Sequence, residues 1–139
     1  QVFLNTNMAA AGGVVAALLL SLVLTGKMDV TMAINGAIAG LVSITADPLS
    51  PSGGTSVIVG AIGGIIVYFS ILFLEKRGID DPVGAISAPG IVGIYGVLVV
   101  SLTGGADFLG QLTGVVMIAA FTYVASYGVV KLINMVMPI

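Results

Sequence analysis

The sequence predicts an all-α integral membrane protein, a bundle of five transmembrane helices forming a single domain. Three observations carry that reading. Of 139 residues, 58% are hydrophobic and only 7% are charged, with a mean hydropathy of +1.23, whereas a soluble domain carries about 25% charged residues. The apolar residues gather into five runs separated by short breaks of Gly, Pro, Asp and Lys. In lipid every backbone polar group must be satisfied within its own segment, so such runs are helices rather than open strands.

The first segment covers about 3–24, with Asn5, Thr6 and Asn7 near its start, and closes at Gly26-Lys27-Met28-Asp29. The second, about 30–46, is close to the lower length limit for a span, roughly 17 residues. Asp47-Pro48-Leu49-Ser50-Pro51-Ser52-Gly53-Gly54 is a loop, because prolines and glycines punctuate it. The third covers about 55–74 and ends in Glu75-Lys76-Arg77-Gly78. The fourth covers about 82–103. It opens with Asp81 as the expected N-cap and Pro82 at the first helical position, where a missing N–H costs nothing. Gly104-Gly105-Ala106-Asp107 breaks the chain again, and the fifth covers about 109–137.

Charge sets the orientation. With five alternating spans, Lys27, Lys76, Arg77 and Lys131 fall on one side, while Asp47 and Asp107 occupy the other. The positive-inside rule makes the Lys/Arg side cytoplasmic, so the N-terminus lies outside and the C-terminus inside. The first apolar run lacks a basic region before it and a cleavage site after it, which argues against a signal peptide. The chain starts at Gln1 rather than Met, already within that run, and reads as a processed, partial or truncated chain.

Several function classes are excluded by composition. There is no His and no Cys, which removes disulfides, thiolate chemistry and most transition-metal sites; no metal or cofactor is expected. Four basic residues and a net charge of −2 give no nucleic-acid footprint. No nucleophile stands with a base, and no glycine run ends in the Lys-Ser/Thr of a P-loop, so the chain is not read as an enzyme. Asp80-Asp81 precede a helix and are better explained as cap and dipole partners than as paired catalytic carboxylates.

Helix packing is expected at three G-x-x-x-G pairs: Gly36 with Gly40, Gly60 with Gly64, and Gly110 with Gly114. Small residues at this spacing let backbones cross closely. Asn35, Ser43, Ser70, Ser87, Tyr95, Ser101, Thr122, Ser126 and Asn134 are polar residues within spans. Most are expected to bond neighbouring helices or their own i−4 carbonyls. Tyr123 and Tyr127 share a helix face and read as packing or interfacial anchors.

One stretch points further. Residues 80–96, Asp80-Asp81-Pro82 through Pro89-Gly90, Gly93 and Gly96, resemble the DDPxxAxxxHGxxGxxG signature of the ammonium transporters of the Amt/Mep/Rh family. Phe3-Leu4-Asn5-Thr6, Asn35-Gly36-Ala37-Ile38-Ala39-Gly40-Leu41-Val42-Ser43-Ile44-Thr45 and Val57-Ile58-Val59-Gly60-Ala61-Ile62-Gly63-Gly64 are similar to the starts or bodies of that family's seventh, eighth and ninth helices. Glu75-Lys76, Ile79, Asp80, Asp81 and Pro82 match its E-K-x-x-I-D-D-P junction. The resemblance covers essentially the whole chain but only the C-terminal half of the family's eleven-helix protein.

That resemblance implies an ammonium channel or transporter in the plasma or inner membrane, whose pore lies between two inverted repeats. Here the first repeat has no counterpart, so conduction would require further helices. The family's second pore histidine falls on Pro89. Ala85, Pro89 and Val92, taken as i, i+4 and i+7, are expected to form one pore-lining face. The Ala85 carbonyl, deprived of the amide at 89, is expected to seek a polar group on a facing helix or water. The implied partners are the lipid bilayer, the remaining helices, further copies in a trimer and a cytoplasmic regulatory protein. A relative that does not transport, acting as accessory subunit or ammonium sensor, is the alternative.

Overall fold

A computed structural model describes residues 1–138 and places them in two units, Gln1–Ala106 and a second starting at Asp107. The first contains α1 (Val2–Thr25), α2 (Val30–Ile44), α3 (Gly53–Lys76), a π-helical segment (Ile86–Val92) and α4 (Gly93–Thr103). The second is α5 (Phe108–Val136). Every described element is helical.

Side chains supply the boundaries. The Asp29 carboxylate caps α2 by accepting from Thr31 N–H at 2.7 Å and Met32 N–H at 3.3 Å. Ser52 caps α3 through Thr55 N–H, and Asp107 caps α5 through Gly110 N–H. Each cap satisfies amides that a helix start leaves without intrahelical partners. Gly26 ends α1 in the left-handed conformation, φ 74°, its N–H donating to the Leu22 carbonyl. Asn5, fully buried, donates from Nδ2 to the carbonyls of Pro48 and Pro51 at 2.9 and 2.7 Å, tying the 46–52 loop to the start of α1.

Four helical stretches are long and apolar enough to cross a membrane: Val2–Thr25, Gly53–Lys76, Ile86–Thr103 and Phe108–Val136. The second expected segment is shorter than 30–46. Its helix stops at Ile44 after 15 residues, which reaches about 22 Å at 1.5 Å per residue. Thr45 folds its hydroxyl onto the Val42 carbonyl at 2.6 Å, and Pro48 follows; the position before a proline disfavours helix.

The fourth segment also differs from expectation. It begins at Ile86, not Pro82. Pro82 and Val83 form a turn, and Gly84 takes φ 69°, which interrupts any right-handed helix started at Pro82. Pro82 is therefore a turn residue and not the first helical position. Asp81 reaches across this turn to cap the later start.

Packing in the first unit centres on α1. Ala9 and Gly13, one helical turn apart, are held between the glycine pairs of α2 and α3. A Cβ on Gly60 would lie 2.6 Å from Ala9 Cα, and one on Gly40 would lie 2.8 Å from the Ala9 carbonyl carbon. Cβ atoms on Gly36 and Gly64 would run into the Gly13 carbonyl group. Backbone thus meets backbone at both levels of the crossing, which only glycine permits. In α5 the third pair meets no such crossing within its own unit: among that unit's described residues a Cβ on Gly114 would touch nothing, and one on Gly110 would meet only the capping Asp107 side chain. Spacing alone does not supply a facing helix.

Candidate functional site

The site is built by Pro89. In an α-helix the Ala85 carbonyl would receive the amide of residue 89, and proline has none. The chain responds by adding a residue to the turn. Ala88 N–H still donates to the Gly84 carbonyl at 2.7 Å, but the Ala85 carbonyl receives the Gly90 N–H at 3.3 Å, five residues on. Among the described residues the partner for that carbonyl is therefore the next amide along the chain rather than a facing side chain. A π-turn of this kind occurs disproportionately at functional sites.

The wider turn rotates each following residue less than an α-helix would, so i and i+7 no longer share a face. Ala85, Ile86, Pro89 and Gly90 are exposed on the surface of the first unit. Val92, expected beside Ala85 and Pro89, instead points into the core. It is fully buried and packs with Ala39, Val67, Ile71 and Ala88, against Met32, Val42, Ile66 and Tyr95. Val92 is thus a packing residue, and of the three residues expected on one face only Ala85 and Pro89 are exposed together, with Gly90 beside them.

Both ends of the turn are anchored. Asp81 accepts from Ile86 N–H at 3.1 Å and from Ser87 N–H and Ser87 Oγ at 2.9 Å each. Desolvation pushes the Asp81 carboxyl up, but these hydrogen bonds outweigh it and hold its pKa below the usual 3.8. Ser87, fully buried, spends its hydroxyl on that carboxylate. Downstream, Tyr95 donates its hydroxyl to the Val59 carbonyl at 3.3 Å. Gly96 lies against α2, where a Cβ would come 2.9 Å from the Val42 carbonyl oxygen.

Asn35 completes the setting from α2. It is 6% exposed, its Nδ2 donates to the Thr31 carbonyl at 3.0 Å, and its Oδ1 has no hydrogen-bond partner among the described residues. That oxygen abuts Gly84, whose missing side chain is what makes room for it. Ser43 and Ser101 bond their own helix: Ser43 Oγ donates to the Ala39 carbonyl and Ser101 Oγ to that of Leu98. Sequence reading singled out neither Gly84 nor Tyr68, which is 2% exposed in α3. The only signal for Gly84 was a glycine two residues after a proline, the composition of a turn.

Comparison with known proteins assigns the chain. The Ammonium Transporter Family model matches residues 1–139. The chain belongs to this family. The ammonium transporter Amt2 of Archaeoglobus fulgidus is 45% identical over 98 residues, covering 70% of this chain and 21% of that protein. An ammonium transporter of Bacillus subtilis is 30% identical over 99% of this chain and 38% of its own length. Among solved structures, one named Sensor Amt Protein superposes with a TM-score of 0.92 at 28% identity, covering 99% of this chain and 37% of that one. Mep2 of Candida albicans superposes with a TM-score of 0.86 at 28% identity, over 96% of this chain and 34% of its own. The chain therefore spans between about a fifth and two fifths of the length of these relatives.

Proposed function

We propose that these helices are the C-terminal portion of an ammonium channel or transporter, conducting ammonium or ammonia only together with further helices. The observation that carries the proposal is the exposed Ala85–Pro89–Gly90 face at the π-turn. It stands where the family signature places its pore histidine, and these matched relatives are longer than this chain. Half of a path between two repeats has one wall, and this face is the wall. In liposomes the 139-residue chain alone is expected to give no ammonium- or methylammonium-driven current above empty vesicles, and a saturable current once the remaining helices are supplied. A saturable current from the chain alone would contradict the dependence on further helices.

Pro89 favours a second reading, a member that binds ammonium without conducting it, as accessory subunit or sensor. Proline brings no imidazole to handle a proton, and one similar structure is named Sensor Amt Protein. Ammonium binding by the completed protein without any flux would select this reading.

The orientation proposed is N-terminus outside and C-terminus cytoplasmic, in a plasma or inner membrane, with all five helical stretches crossing. Lys27, Lys76, Arg77 and Lys131 support it through the positive-inside rule. On this cysteine-free background, Ser50→Cys should react with a membrane-impermeant maleimide in intact cells and Gly78→Cys should not. The reverse pattern would invert the topology.

A further inference from the structure

We propose that the Ala85 carbonyl oxygen is itself a binding group for a small N–H donor, ammonium or methylammonium, at the π-turn; the inference rests on the ammonium reading above. Three observations lead to it. The oxygen receives one hydrogen bond, from Gly90 N–H, and at 3.3 Å that bond is long against a usual N–H···O separation of about 2.9 Å. A carbonyl has two lone pairs, so acceptor capacity remains. Ala85, Pro89 and Gly90 are all exposed, and beyond Gly90's chain neighbours and the nearby helix backbone, the described atom that a Cβ on Gly90 would meet within 4 Å is this same oxygen, at 3.8 Å.

The chemistry follows from the dipole. A carbonyl oxygen offers partial negative charge without a proton to exchange, so it attracts a cationic or polarised N–H while leaving its proton in place. Unwound backbone carbonyls hold cations in other transporters for this reason, and rings of them replace hydration shells in cation filters. Proline is then more than a lost histidine. By removing one amide it leaves an under-used acceptor four residues before the position that carries the imidazole in the family signature.

The test uses the chain assembled in liposomes with the unlabelled helices that complete it. Ile86→Val makes positions 85–86 the only Ala-Val step in the sequence. Carbon-13 carbonyl alanine with nitrogen-15 valine then isolates the Ala85 carbonyl in solid-state NMR. Its resonance is expected to shift with ammonium chloride and to stay fixed with potassium chloride. Pro89→Ala restores an amide for the carbonyl and should abolish the shift. Gly90→Val, which keeps the Gly90 amide and crowds the oxygen, should weaken it and serves if Pro89→Ala fails to fold. A carbonyl silent to ammonium, an equal response to potassium, or a full response in both variants overturns the proposal. Flux is recorded on the same vesicles. Flux with a silent carbonyl removes this inference and leaves the transport reading, whereas a responsive carbonyl without flux does the opposite.

Discussion

Gly60→Ala is expected to destabilise the first unit by about 3 kcal/mol, the upper part of the range for forcing extra carbon into a close-packed crossing. The added Cβ would lie 2.5 Å from the Ala9 carbonyl carbon and 2.6 Å from its Cα. Backbone cannot rotate out of the way as a side chain can, so α1 and α3 must separate. Separation also strips the Gly64–Gly13 contact one turn along. Unfolding in mixed micelles, followed by circular dichroism, measures the loss. Gly114→Ala is the matched comparison, because its Cβ meets nothing within its own unit among the described residues, and it should leave stability unchanged or raise it by up to about 1 kcal/mol through helix propensity. Equal effects at the two positions would refute the packing account.

Gly84→Ala is expected to cost about 2 kcal/mol or more and to dislodge the start of the π-turn. Part of the cost is conformational. At φ 69° a Cβ crowds the following carbonyl, worth roughly 1–2 kcal/mol. The rest is collision, since the new methyl group lands on Asn35 Oδ1. The two parts are separable by a double-mutant cycle. Asn35→Ala should remove the collision and leave only the backbone strain, so the pair should be less destabilised than the sum of the single changes. Strict additivity would mean that Asn35 and Gly84 do not touch.

These two glycines illustrate how far the sequence could be read. Gly36, Gly40, Gly60 and Gly64 were legible as a packing pattern because their spacing matches the helical repeat. Their partner, the Ala9–Gly13 step of α1, obeys the same close-approach logic. Gly110 and Gly114 have identical spacing and no crossing in their unit among the described residues, because periodicity describes one helix and says nothing of its neighbour. At the fourth segment two local preferences competed. Pro82 favours a helix start, while Gly84 two residues later favours a turn, and the turn prevailed with Asp81 capping beyond it. The N-capping role was legible from Asp81 itself; the position it caps was not.

The π-turn was out of reach for a related reason. The sequence shows that the Ala85 carbonyl loses its α-helical donor, and does not show which donor replaces it. Gly90 does so by a one-residue slip, which costs little backbone strain in a glycine-rich stretch and turns Val92 from the expected pore face into the core. Buried Ser87, Ala88 and Val92 pull one side of the turn inward, leaving Ala85, Pro89 and Gly90 outside.

Whether that outer face borders an aqueous ammonium path is decided most directly by a single cysteine at Ala85, beside Pro89 on the exposed face, in the completed protein, because this change leaves Pro89 and its π-turn in place. The chain has no other cysteine to interfere. A small, charged, water-soluble methanethiosulfonate should modify Ala85→Cys, and excess ammonium should slow the reaction by occupying the same passage. Modification only by a lipid-soluble maleimide, unaffected by ammonium, would place the residue against the bilayer and contradict the account.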